Sequence, residues 1–109
     1  MNEIKKVSEI TPDAIAEYLG LPDCSVTDQN ELKTYLNVAV QFVSDYTDIP
    51  VHKPVGSTAK DLDDYPTFVL AVLVLVQDMY DTRTLYVDKT NINKVVSSIL
   101  SAYRRNYVS

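Results

Sequence analysis

The sequence predicts an all-α fold, a compact bundle of about four helices with one long loop between the second and third. Three observations carry this expectation. Apolar residues recur at helical spacing through two long segments, around residues 28 to 47 and 92 to 103. Between those segments lies FVLAVLVLV, nine consecutive apolar residues at 68 to 76 that run into QDMYDTR without a turn signal. Proline, glycine and short polar clusters fall between these stretches and not inside them.

The first helix is read from TPDAIAEYLGLP, residues 11 to 22. Thr11 can cap it, Pro12 suits the first helical position, and Asp13 and Glu17 favour the positive N-terminal end. Gly20 and Pro22 stop it. The second helix runs from residue 28 to about 47. Asp28 followed by Glu31 has the spacing of a capping box. Leu32, Tyr35, Leu36, Ala39, Phe42, Val43 and Tyr46 then make one apolar stripe, and Pro50 marks the end.

Residues 49 to 65, IPVHKPVGSTAKDLDDY, form the long loop, since their prolines, glycine and polar run deny them a period. Loops of this length in small domains tend to be functional or disordered, and this one is expected to be mobile in the free subunit and to become ordered on assembly. The third helix begins near Tyr65–Pro66 with Asp64 as its cap and ends at about Arg83. Val69, Val72, Val74 and Val76 would also suit a buried strand. The segment from Pro66 to Arg83 is far longer than a typical strand of about 5–6 residues, so a helix is preferred. A helix apolar all round belongs at the centre of its domain or in an oligomer. TLYVDKT is a short, partly extended connection. Asn91 starts the fourth helix, with Ile92, Val95, Val96, Ile99, Leu100 and Tyr103 at helical spacing. Leu36, Phe42, Leu73 and Ile99 are expected on the inward stripes. Residues 1 to 9 and 105 to 109 read as flexible tails.

The 109 residues fit one domain. The net charge of −5 argues against a protein built to neutralise phosphates. Cys24 is the single cysteine, so no intrachain disulfide forms and a reducing compartment is the simpler reading. A membrane-spanning helix needs about 20 mostly apolar residues, and Asp64, Asp78 and Asp81 close off the run before that length. His52 is the only histidine, which leaves zinc and a thiol nucleophile at Cys24 without partners. Asp61, Asp63 and Asp64 lack the glycine and glutamate of a calcium loop and read as a solvated loop with a helix cap. With Gly20 and Gly56 alone there is no glycine-rich phosphate loop. The expectation is a chain without catalytic residues, metal or cofactor.

An interaction surface is the remaining reading. The chain has eight tyrosines and no tryptophan, and tyrosine is enriched in interface cores. Tyr35 and Tyr46 fall on the second-helix stripe, whereas Tyr65, Tyr86 and Tyr107 lie in loops or the tail, where burial within one subunit is harder. AIAEYLGLPDCSV also has the form of the first half of a helix-turn-helix motif. The following TDQNELKTYL carries two acids and one lysine, a poor recognition helix. A small DNA-binding regulator is nevertheless the alternative class, and a generic four-helix adaptor a third.

The order of elements resembles the head–tail connector proteins of tailed bacteriophages, also called head-completion or adaptor proteins. The likeness covers residues 10 to 107. It rests on AVQFVSDYTDI in the second helix, on Tyr80, Asp81, Thr82 and Arg83 closing the third, and on Tyr103 and Arg104 closing the last. The first helix departs most from the pattern, and the central loop carries no family signature. The resemblance implies a mostly helical virion subunit that forms a homo-oligomeric ring. The ring would dock under the portal protein, extend the DNA channel toward the tail or a stopper protein, and involve no reaction, cofactor or membrane. Assembly would take place in the host bacterial cytoplasm. Tyr65, Tyr80, Arg83, Tyr86, Arg104, Arg105 and Tyr107 are then expected at interfaces. Asp61, Asp63, Asp64, Asp78 and Asp81 are candidate channel-lining residues, where acidic groups would repel passing phosphates without holding them.

Overall fold

In this computed structural model the described residues are 4–21, 26–53, 55–56, 60–84, 87 and 93–103, with the side chains of 26–28 excepted. They form four α-helices, α1 (Pro12–Leu19), α2 (Val26–Thr47), α3 (Thr67–Thr82) and α4 (Lys94–Ser101), with short 3-10 turns at Val7–Glu9 and Leu62–Asp64. No strand occurs among the described residues, and the all-α bundle is the predicted fold class. The valines of the apolar run are helical.

α3 is the centre of the bundle, packed against α1, α2 and α4. Phe68, Ala71, Val72 and Val76 are fully buried, and Val69, Leu73 and Leu75 nearly so. Only Leu70, 47% exposed, and the half-buried Val74 leave the core. These two are four residues apart, one helical turn, so FVLAVLVLV is a core helix with one narrow open stripe. Ile15 of α1, Leu32, Ala39 and Val43 of α2, and Val96 and Leu100 of α4 complete the core. Leu36 and Ile99, predicted inward, are only half-buried. Each packs against the core from its partly exposed margin.

The ends of the helices follow local chemistry. Thr11 Oγ1 accepts the Ala14 N–H at 3.1 Å and Pro12 occupies the first turn of α1. Gly20 ends it in the left-handed region at φ +76°, as predicted. α2 starts at Val26, two residues before the predicted Asp28 cap, so Asp28 lies inside its first turn. The Glu31 carboxylate accepts from Arg83. At the other end Asp48 turns left-handed at φ 59° and the Ile49 N–H reaches Ser44 O at 3.2 Å. α3 ends in the same manner, with Arg83 at φ 56° and the Thr84 N–H on Met79 O at 3.1 Å. Asp64 does not cap α3; its carboxylate accepts the Asp61 N–H at 2.9 Å and so closes the preceding 3-10 turn. α4 is capped by Asn93, whose Oδ1 accepts the Val95 N–H at 2.8 Å. The predicted start at Asn91–Ile92, and all of TLYVDKT except Thr84 and Val87, lie outside the described residues.

One expectation about a loose segment is corrected. Val7 and Ile10 are each only 5% exposed, so the N-terminal stretch belongs to the core and is no tail from residue 4 onward. The long loop is tied at both flanks. Ser44 Oγ donates to Ile49 O at 2.7 Å, the Leu62 N–H bonds Pro50 O at 3.1 Å, and Asp61 accepts the Lys53 N–H at 3.2 Å. The reason is Leu62, fully buried, which the polar composition around it concealed.

Candidate functional site

Three surfaces gather the side chains that the sequence singles out. The first is at the C-terminal end of α3. Because α2 and α3 run antiparallel, Glu31 and Tyr35 of α2 meet Tyr80 and Arg83. The Arg83 guanidinium donates to Glu31 Oε1 at 2.5 Å and lies 4.3 Å from the Tyr80 ring centre. Tyr80 meets Tyr35 edge-on at 6.5 Å. Arg83 keeps 58% of its side chain exposed. Burial, reinforced by the Glu31 charge, pushes the Tyr35 hydroxyl above its ordinary pKa, against the opposing pull of Arg83. For Arg83 itself burial works against the charge, but the bond to Glu31 and its negative charge prevail and hold the guanidinium more firmly protonated. A guanidinium carries five donors, so an arginine fixed on a ring and a carboxylate can still present N–H groups to an acidic partner.

The second surface is the opposite end of α3. Tyr65 stacks on Phe68 with ring centres 4.9 Å apart, and Tyr103 stands edge-on to both, at 5.0 and 5.1 Å. Lys60 lies over Tyr65 at 5.8 Å. Tyr65 is therefore half-buried within the subunit, contrary to the expectation from its loop position. Tyr103 remains 38% exposed. Tyr86, Arg104, Arg105 and Tyr107 lie outside the described residues.

The five acidic residues fall into two groups. Asp61, Asp63 and Asp64 precede α3, whereas Asp78 and Asp81 lie in its last turns, about 20 Å along the axis at 1.5 Å per residue. The first group is spent on backbone N–H groups: Asp61 on Lys53 and Asp63, Asp63 on Ser8, Asp64 on Asp61. Asp78 is half-buried, and burial together with the nearby Asp81 charge raises its pKa, although an interaction with Asn93 pulls the other way. Asp81 is exposed.

The third surface has no forerunner in the sequence reading. An open groove of about 560 Å³ lies between the Val7–Glu9 turn, α2 and the start of the long loop. Its floor is aliphatic, from Val7, Ile10, Leu36, Val40 and Val51, and its rim is polar, with Ser8, Asn37, Gln41, His52 and Asp63. No sequence signal could have found it. It forms where the Val7–Glu9 turn, held by the Ser8 N–H to Asp63 at 2.9 Å, 55 positions away, lines it together with α2.

Among the described residues no set of three metal-ligating side chains converges, and no described helix is long and apolar enough to cross a membrane. Comparison of the chain with protein-family models, with curated proteins and with solved structures finds no match.

Proposed function

We propose that the chain is a structural subunit of a tailed-phage head–tail connector, a virion protein that forms a ring under the portal and carries the DNA channel on toward the tail. The observation that carries the reading is the sequence of helix endings. Tyr46 and Thr47 close α2, Tyr80 to Arg83 close α3, and Tyr103 lies two residues beyond α4. This order on α2, α3 and α4 belongs to the pattern the resemblance rests on. Two further features support it. Arg83 is braced yet largely exposed, suited to a carboxylate on a neighbour. Leu70, Val95 and Tyr103 leave apolar area on α3 and α4 for a subunit contact to cover. In such a ring the portal and the tail or stopper protein are the partners, and the duplex passes without specific binding.

Native mass spectrometry of the purified chain, alone and with the portal protein of the same phage, tests the proposal. Cyclic oligomers of the 12.3 kDa subunit, or their appearance on the portal, are expected. A chain that stays monomeric in both samples, and that binds duplex DNA with steep salt dependence, overturns the connector in favour of a DNA-binding regulator. The exposed face of α2 offers such a regulator Asn30, Asn37 and Gln41, but only Lys33 as a cation.

A further inference from the structure

We infer that the N-terminal arm, residues 4 to 10, and the Leu62–Asp64 turn form one latch, a strap that opens and closes as a unit while the four helices stay packed. The inference is independent of the connector reading. It rests on two short segments, far apart in sequence, each of which completes the other.

Local bonds alone do not hold either segment. Each contains a single 3-10 turn of three residues, whose hydrogen-bond geometry is poorer than that of an α-helix. In the arm, Glu9 Oε1 accepts the Lys5 and Lys6 N–H groups at 3.1 Å, and the Ile10 N–H reaches Val7 O at 3.1 Å. In the loop, Asp61 accepts the Asp63 N–H at 3.1 Å and Asp64 accepts the Asp61 N–H at 2.9 Å. What fixes both is burial. Val7 and Ile10 are each 5% exposed and Leu62 is fully buried, and the Val7–Glu9 turn packs on both α3 and the Leu62–Asp64 turn. The Ser8 N–H on Asp63 Oδ1 at 2.9 Å is the catch between them.

Lifting either turn from its place uncovers the other. Ordering a segment costs backbone entropy that its burial must offset, so the two turns are stable together and unstable apart. The catch, and the bond from the Lys53 N–H to Asp61, both lie in solvent. The helical body is different: α2, α3 and α4 carry most of the buried apolar side chains. A unit with few buried side chains and solvent-exposed bonds belongs to the low end of the local stabilities within a fold. Opening the latch bares the part of α3 on which the Val7–Glu9 turn packs and leaves the helix pairs intact.

The test is amide hydrogen exchange followed by nuclear magnetic resonance on the full chain. The Ile10, Leu62 and Tyr65 amides each donate to a backbone carbonyl and report on the latch; Val43, Val72 and Val76 report on the helices. The three latch amides should share one opening equilibrium, larger than that of the helix amides. Val7→Ala, a change in the arm, should speed exchange at Leu62 and Tyr65 as well as at Ile10. The expected factor is about tenfold, from two buried carbons lost, with the helix amides unchanged. Should that variant fail to fold, Asp63→Ala takes its place: it removes the catch from the loop side and should speed Ile10 in the arm. Asp63→Asn, whose amide oxygen still accepts the Ser8 N–H, should restore most of the protection. Faster exchange confined to the segment that carries the substitution overturns the inference, because the two turns then open separately. Equal opening of latch and helix amides in the parent chain overturns it as well, because the arm then leaves only on global unfolding.

Discussion

Leu73→Ala probes the central helix most directly. Leu73 lies on α3, is 5% exposed and belongs to the hydrophobic core. Trimming leucine to alanine forfeits about 2.4 kcal/mol of transfer free energy, at about 0.8 kcal/mol per buried carbon. The cavity left behind brings the total to about 3–4 kcal/mol. Unfolding entropy of about 2.1 cal/mol/K per residue amounts to about 0.23 kcal/mol/K over 109 residues. The expected fall in melting temperature is then about 13–17 °C. Leu70→Ala is the matched control, one turn earlier on the same helix and 47% exposed. It loses about half the transfer term and leaves no cavity. Alanine's better helix propensity returns a few tenths, so the net cost is about 1 kcal/mol, or about 4 °C. Thermal and urea unfolding followed by far-ultraviolet circular dichroism on both variants decides the matter. Equal shifts, or a larger one for Leu70→Ala, would mean that α3 presents a different face to the bundle.

Further outcomes are expected. Leu70→Glu should lower the monomer's unfolding midpoint by only a few degrees, about as Leu70→Ala does, yet abolish any ring seen by native mass spectrometry, and rings formed by the variant would remove the open stripe of α3 from the interface. Asp78→Asn should stabilise the protein at neutral pH. The raised pKa means that the folded state holds the Asp78 proton more tightly than the unfolded chain, so stability rises as pH falls through that value and the charged form is a cost above it. The gain should fade in acid, and a gain independent of pH would point to another cause. A double-mutant cycle on Glu31 and Arg83 should give a coupling of no more than about 1 kcal/mol that shrinks with salt, as for other exposed ion pairs; a salt-independent coupling would contradict the exposure of Arg83. Thr11→Ala should cost about 1 kcal/mol through loss of the Ala14 cap, read from the urea midpoint.

Local and periodic information was legible in the chain itself. Thr11, Pro12 and Gly20 bound α1 as read, because capping, a preset φ and left-handed backbone are properties of single residues. Most of the apolar stripe of α2 and of the run in α3 is buried, since a helix repeats every 3.6 residues whatever surrounds it. What the tertiary structure decided is competition among groups distant in sequence. Glu31 was legible only as a residue at capping-box spacing, whereas its carboxylate accepts from Arg83, 52 positions on. Asp64 stood at the right place to cap α3, yet the turn begun by Asp61 takes it first. Tyr65 looked exposed until Phe68 and Tyr103 closed round it. The groove needed the Val7–Glu9 turn to be pinned by Ser8 to Asp63. A carboxylate or a ring joins whichever partner the packed helices bring within reach, and that proximity arises only when the core formed by α3 fixes the distance between residues far apart along the chain.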